Sequence, residues 1–329
     1  MTVGLEFLLL PGFSMLGFTC AIEPFRVANR FRPGSYRWRL RSLDGAPVTA
    51  SSGLILNVEA GIGELDAAGP PSREAILFIV AGFEPLDAYS PGLKRLLHRW
   101  ARSGAVLGGI DTGSFMLAEA GLLDDHQATL HWETIPAFKE RYPRVQVSQA
   151  LYQIDRQRIT CAGGTSALDL MLALIAAHQD GELALEVSEQ FVLGRIRSRQ
   201  DHQRTRTAVR YGITNPRLVS IIEELEQCCD TPLDSADLAR RHGISLRQLE
   251  RLFKHQLAKT PTLFHLELRM QRARQLLREG GSSVLEVAIA CGFTSSSYFS
   301  RCYRACFGLP PSRDRRAAAN DIDGATHPR

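Results

Sequence analysis

Apolar residues follow two different patterns along this chain, and the change from one to the other divides it. Through the first half, short, nearly continuous apolar runs recur at residues 3–10, 75–81 (AILFIVA) and 105–110 (AVLGGI), with a last strand at 158–161. Turns and stretches of helical spacing follow them, at residues 17–29, 91–102, 114–120 and 166–177. A strand that is apolar throughout needs cover on both faces. The alternation therefore predicts an α/β doubly wound, mostly parallel sheet, with any ligand at the C-terminal ends of the strands. Beyond about residue 218 these runs give way to a 3.6-residue period, which predicts an all-α domain. Within its last long helix Phe299, Tyr303 and Phe307 recur every four residues and share one buried stripe. Ser296, Ser297, Ser300, Arg301 and Arg304 are left facing outward. Gly292 suits the left-handed close of the preceding helix, and Ser295 offers a hydroxyl to cap the next.

Superposing Ser245 on Ser295 exposes an internal repeat of about fifty residues. Leu249, Leu252 and Phe253 fall on Phe299, Cys302 and Tyr303, while Arg251 falls on Arg301 and Lys254 on Arg304. Buried and exposed classes coincide, as two helix-turn-helix units require. The first unit presents Arg247, Gln248, Glu250, Arg251 and Lys254 outward. Arg can pair with a guanine edge, Gln with adenine and Glu with cytosine, each pairing contributing about 1–3 kcal/mol of discrimination. An i,i+4 ion pair between Glu250 and Lys254 is the competing role for those two. Residues 262–278 form one long helix between the units, with Leu263, Met270, Ala273 and Leu277 on its buried side and Arg269, Arg272 and Arg274 distributed around it. That helix would hold the two reading helices at major-groove segments about 34 Å apart.

Charge follows the same division. Residues 195–316 carry 22 Lys and Arg against 12 Asp and Glu, a net +10, whereas the whole chain is only +4. A basic half joined to an acidic half favours a polyanionic partner for the former. The composition, 44% hydrophobic and 22% charged, is that of an ordinary soluble globular protein long enough for two cores. Seven cysteines, odd in number and without CxxC or zinc spacing, are expected to be reduced, in the cytoplasm. The opening VGLEFLLLPGF contains Glu6, lacks a basic leader and breaks at Pro11-Gly12, so a buried strand is expected rather than a signal sequence. No apolar run approaches the length of a membrane span. No metal and no cofactor are expected.

Candidate chemistry concentrates at Gly109-Ile110-Asp111-Thr112-Gly113. Its spacing is that of a strand-to-helix elbow that holds a nucleophile above a sheet, with Asp where a hydrolase keeps Ser or Cys. An active elbow needs a thiolate or an activated alkoxide. Asp111 as a carboxylate nucleophile with His131 as base would make the chain an amidase or hydrolase tethered to DNA. The competing expectation is an elbow that kept its geometry and lost its chemistry, its carboxylate and the adjacent helix N-terminus holding a small ligand. Glu23, Gly82, Phe83, Asp111, Thr112, His131 and Trp132 are the candidate effector contacts. Glu23 equally suits an ion pair with a nearby Arg, Gly82 a plain turn, and His131-Trp132 a packed aromatic pair.

These residues carry two resemblances. Most of residues 1–195 resembles the PfpI-like branch of the class I glutamine amidotransferase-like fold, in which the reactive Cys would fall at Asp111 and a common His at Thr112. The resemblance implies a fold and a pocket without a catalytic residue. LERLFKHQL, RMQRARQLL, VAIACGF, SYFSRCYRACFG and LPPSRDR, in that order over about 100 residues, are similar to the AraC/XylS family of bacterial transcription regulators. That resemblance carries base contacts over to Arg247, Glu250 and Arg251 and to Ser296, Ser297, Ser300 and Arg301. Its departure is Arg313-Asp314-Arg315, where an aromatic residue commonly precedes the final Arg. FLLLPGF, AIEPFRVANRF, YRWRL and SLDGAPVTASSG are similar to the subgroup that controls catabolism of carnitine, choline and glycine betaine, which implies a quaternary ammonium effector held by carboxylates and aromatic faces.

The organisation expected is an effector-sensing domain at 1–195, a basic linker at 196–217, a double helix-turn-helix domain at 218–316 and a disordered tail at 317–329. The expected partners are double-stranded promoter DNA, a small-molecule effector, RNA polymerase and a second copy of the chain in a homodimer, with no membrane.

Overall fold

A computed structural model describes residues 2–67, 69, 71–204, 207–279 and 283–315 of the chain. The expected tail at 317–329 lies outside them. Two compact units result, Met1–Gln203 and Arg204–Arg329.

The first unit runs β1 (Val3–Leu9), α1 (Met15–Phe31), β2 (Tyr36–Ser42), β3 (Val48–Thr49), β4 (Ile55–Leu56), β5 (Ala60–Gly61), α2 (Ile62–Ala67), β6 (Ile76–Val80), α3 (Pro91–Arg102), β7 (Val106–Ile110), α4 (Ser114–Glu119), β8 (Gln127–Ala128), α5 (Ile135–Arg141), β9 (Gln146–Val147), β10 (Tyr152–Asp155), β11 (Arg158–Cys161), α6 (Ser166–His178) and α7 (Gly181–Gln190). Seven strands form the main sheet in the order β10-β11-β7-β6-β1-β2-β5. Only the β10–β11 pairing is antiparallel. The strands are nearly continuous in apolar residues because both faces are covered. Leu5, Phe7 and Leu9 pack towards α1, α6 and α7, while Leu8 and Leu10 pack towards α3, α4 and α5. Each fully buried side chain of this size contributes about 1.5–3 kcal/mol. Register decides where the site lies. Leu9 pairs with Val80, Val80 with Ile110 and Ile110 with Cys161. The loops that follow these four residues therefore leave the sheet at one edge.

Among its described residues the regular elements of the second unit are all helices: α8 (Thr207–Arg210), α9 (Pro216–Gln227), α10 (Ser235–Arg241), α11 (Leu246–Leu257), α12 (Pro261–Glu279), α13 (Val284–Ala290) and α14 (Ser296–Phe307). Ile221, Ile222, Leu238, Leu249, Phe253 and Phe264 form the core of its first half. On α12, Met270, Ala273 and Leu277 are buried as expected. Leu263 is not: it is 45% exposed. It lies in the first turn of α12, where the neighbouring Phe264 takes the place against Phe253. No described helix is long and apolar enough to cross a membrane.

The basic stretch between the units is divided between them. Arg197 and Gln203 are hydrogen-bonded within the first unit. Arg210, on α8, is bound by Glu226 of α9 at 2.6 Å.

Candidate functional site

The elbow forms as its spacing predicts. β7 ends at Ile110, Asp111 stands at φ 60°, and a tight turn through Gly113 leads into α4. A left-handed L-residue costs about 1–2 kcal/mol, and Asp tolerates the conformation better than most. The flanking glycines are there for space. A β-carbon on Gly109 would lie 2.6 Å from the Ser114 nitrogen, and one on Gly113 would run into the Ile79 carbonyl oxygen.

Around Asp111 the four strand ends bring together a set only partly foreseen. Thr112 donates its hydroxyl hydrogen to the Gly82 carbonyl. Gly82 in turn bridges Phe13, with its α-carbon against the Gly12 carbonyl. On the other side Gly163 abuts the Asp111 carboxylate so closely that a β-carbon there would overlap it. Gly164, the next residue, faces Gly17 of α1. Gly163 and Gly164 were not singled out from sequence, although two consecutive glycines after a buried strand, in CAGGTS, were a signal to be read.

Electrostatics define what this set can do. Burial pushes the Asp111 carboxyl up to about 7, with the Glu133 carboxylate adding to the rise and the Thr112 N–H opposing it. Glu133 therefore belongs to the site, and sequence reading missed it. His131 lies 3.6 Å from Glu133 and is held below the ordinary histidine value by burial. The His131 and Trp132 rings stand 5.6 Å apart at 38°. Cys161 is fully buried beside the elbow, and burial pushes its thiol up to about 12 in spite of the N–H groups of Gly163 and Asp111. A thiol that stays protonated at neutral pH is no nucleophile. The elbow thus offers a carboxyl raised well above the ordinary range, with Glu133 and His131 beside it, a set suited to hold a ligand.

Two candidates lie differently. Glu23 is engaged by Arg26, one turn along α1, with contacts of 2.7–2.8 Å. The Phe83 ring is 67% exposed after Gly82. No group of three or more His, Cys, Asp or Glu able to hold a metal occurs among the described residues.

The second unit presents its repeat as two capped helices. Ser245 caps α11 by accepting from the Gln248 N–H at 3.2 Å, and Ser295 caps α14 by accepting from Tyr298 at 3.3 Å. Arg247, Gln248, Glu250, Arg251 and Lys254 are exposed on α11; Ser296, Ser297, Arg301 and Arg304 are exposed on α14, with Ser300 half-buried. Gln248 has a second task, since its Oε1 accepts from the Ser245 N–H at 2.8 Å and closes a capping box. Glu250 and Lys254 are not joined by an ion pair among the described residues. Tyr298, unforeseen, is also exposed, with the Arg301 guanidinium 5.9 Å from its ring. Three arginines of α12 serve the fold. Arg269 donates to the Cys291 and Gly292 carbonyls, both at 2.8 Å, and lies 4.1 Å over the Phe293 ring. Arg274 and Arg278 bind Asp314.

Residues 7–177 match the DJ-1/PfpI family, and residues 238–317 match a helix-turn-helix domain. The chain is 54% identical over 322 residues to the HTH-type transcriptional regulator CdhR of Pseudomonas aeruginosa, covering 98% of this chain and 94% of that one. It is 40% identical to the HTH-type transcriptional regulator GbdR of the same species, over 94% of this chain and 83% of that one. Against GlxA of Rhizobium meliloti, also an HTH-type transcriptional regulator, identity is 34% over 95% and 96%. Among solved structures, an AraC family transcriptional regulator from Pseudomonas putida is similar over 57% of this chain and 99% of that one, with 32% identity and a TM-score of 0.52.

Proposed function

This chain belongs to the AraC-type helix-turn-helix transcription regulators that carry an N-terminal DJ-1/PfpI-family domain, and from that premise we propose that it is a metabolite-responsive regulator whose elbow pocket binds without catalysing. The observation that carries the reading is the pairing of a preserved elbow, still in its left-handed turn, with a carboxyl in place of a thiol. The helices α11 and α14 read promoter DNA, Arg247, Glu250 and Arg251 from one and Ser296, Ser297, Ser300 and Arg301 from the other, with Gln248, Lys254 and Arg304 beside them. The working form is a cytoplasmic homodimer that addresses RNA polymerase at the promoter.

The effector is a quaternary ammonium compound such as carnitine or glycine betaine. Asp111 and Glu133 supply opposite charge, and Trp132 and Phe83 supply aromatic faces for a cation. A bound cation would favour the ionised form of Asp111. Binding acts on transcription only by favouring one state of the protein over another. Thermal-shift measurement with trimethylammonium compounds against arginine tests this: stabilisation by the former is expected, and stabilisation by arginine alone would replace the effector class. The enzyme reading is tested by Asp111→Asn, which should change the effector response without abolishing any turnover; a hydrolytic activity lost in that variant would overturn the sensor.

A further inference from the structure

The last nine residues of the first unit, 195–203, are tied down along their length. Asp169, buried on the first turn of α6, accepts from Arg197 three times: from its backbone N–H at 2.9 Å, from Nε at 2.9 Å and from Nη2 at 2.6 Å. The same Nη2 donates to Thr165 Oγ1 at 2.9 Å. Further on, the Leu151 N–H donates to the Arg199 carbonyl at 3.0 Å, and His202 bridges Ala150. Gln203 Nε2 then stands 3.0 Å from Thr129 Oγ1, 3.1 Å from the Leu130 carbonyl oxygen and 2.8 Å from that of Ala150. Asp201 stiffens the segment from within, accepting from Arg195 at 2.9 Å and from the Ser198 N–H at 3.0 Å.

Both anchorages fall beside the elbow. Thr165 directly follows Gly163-Gly164, the pair that abuts Asp111 and faces α1, and Leu130 directly precedes His131. The residue after Gln203 is Arg204, where the second unit begins. We propose that residues 195–203 are a strap with two latches, Arg197 on Asp169 and Gln203 on Thr129, Leu130 and Ala150, through which the state of the elbow pocket reaches the DNA-reading unit. The physical basis is rigidity. A ligand that shifts the Gly163–Thr165 loop or the Leu130–Glu133 segment must displace a latch or strain it, and a buried carboxylate does not give up its partner freely. Arg197 and Gln203 are positioning residues. The inference rests on the elbow being the effector pocket.

The test uses the full-length protein and a promoter fragment selected for binding to it. Arg197→Ala, Gln203→Ala and the double variant are compared with Phe138→Leu, a core change on α5 that lowers stability and removes none of the strap's hydrogen bonds. Tryptic cleavage after Arg199 should rise at least tenfold in the double variant, and the DNA Kd without ligand should move at least fivefold, the lower end of usual coupling. Phe138→Leu should leave that Kd within twofold, and Arg197→Lys should restore part of the wild-type value. Glycine betaine is the ligand probe; any change it makes to wild-type DNA affinity should shrink to within twofold in the double variant. If glycine betaine does not bind the wild type, the effector class falls, while the unliganded Kd still decides the strap. Unchanged cleavage, cleavage with an unmoved Kd, or an equal Kd change in Phe138→Leu would each overturn the proposal.

Discussion

The two helix-turn-helix units share a pattern but are held in place by different forces. In the first, α10 and α11 pack through Leu238, Leu249 and Phe253 onto α9 and α12, so its placement is chiefly apolar. Glu224 of α9 adds a bond from Arg241 at 2.9 Å and one with His242 at 2.6 Å at the rim. The second unit keeps the aromatic stripe of Phe299 and Tyr303, and adds to its apolar packing a set of buried charged contacts. Arg269 of α12 holds the carbonyls of the turn between α13 and α14. Asp314, only 1% exposed, accepts from Arg274 at 2.8 Å, Arg278 at 2.6 Å and Tyr303 at 2.8 Å. An apolar contact is non-directional and tolerates small shifts, whereas these bonds fix direction and register. The unit whose last helix exposes fewer cationic side chains is therefore the one clamped more specifically to the central helix.

Breaking the clamp gives the largest expected effect. Asp314→Ala leaves Arg274 and Arg278 without their shared partner and Tyr303 without an acceptor, and should destabilise the second unit by about 3 kcal/mol. Hydrogen exchange should show α13 and α14 losing protection before α10 and α11; simultaneous loss would erase the contrast. Acid probes the same clamp. Burial alone would raise the Asp314 carboxyl, but Arg278 and Tyr303 hold it below the ordinary carboxylate range. Its contribution is thus complete above the unfolded value of about 4 and lost as pH falls through the lower folded value. A denaturant midpoint that falls at acid pH in wild type, with a smaller fall in Asp314→Ala, is the expected measurement.

Gly292 comes next. At φ 71° with its α-carbon against the Asp230 carbonyl, it admits no β-carbon, and Gly292→Ala should cost about 2 kcal/mol by urea unfolding. The corresponding Gly243 has open space around it, so Gly243→Ala should cost less, by the left-handed backbone alone. On the faces proposed to read DNA, Arg301→Ala should weaken promoter binding by about 1–3 kcal/mol without unfolding the unit. Arg251→Ala should relax sequence preference as much or more, because α11 offers Arg247, Glu250 and Arg251 where α14 offers one Arg among serines. Competition against single-base operator variants measures both. The smallest effect sharpens the repeat at its ends: α11 stops at Ala258, φ 55°, and α14 at Gly308, φ 75°. Ala258→Gly should stabilise by about 1 kcal/mol in thermal unfolding, since Gly removes the left-handed penalty.

Much of this was legible in sequence because it is local. Strand β6, helix α3, strand β7 and the elbow follow from apolar runs and glycine spacing within a few residues of one another. The caps at Ser245 and Ser295 and the buried pairs of the repeat follow from spacing alone. The site was less legible. Glu23 looked like a pocket carboxylate, but its nearest partner was three residues away in its own helix. Glu133 sits in a loop beside two more obvious residues, His131 and Trp132, and nothing in TLHWE says which of them faces Asp111. Arg269 and Arg274 could only be placed around the helix from sequence, because their acceptors, the carbonyls at 291 and 292 and the carboxylate of Asp314, lie more than twenty residues on.

The sequence by itself determined which segments become strands and helices, where the chain changes character, the strained elbow and the two helices with exposed polar and basic faces, since each depends on a hydrophobic period, a turn residue or a cap. Tertiary structure alone decided the rest. The alignment of four strand ends set Gly163 against Asp111 and raised its carboxyl, burial kept the Cys161 thiol protonated, and long-range hydrogen bonds turned a basic run into a strap and Asp314 into a clamp. Burial and charge pairing act through space, and distance along the chain does not record them.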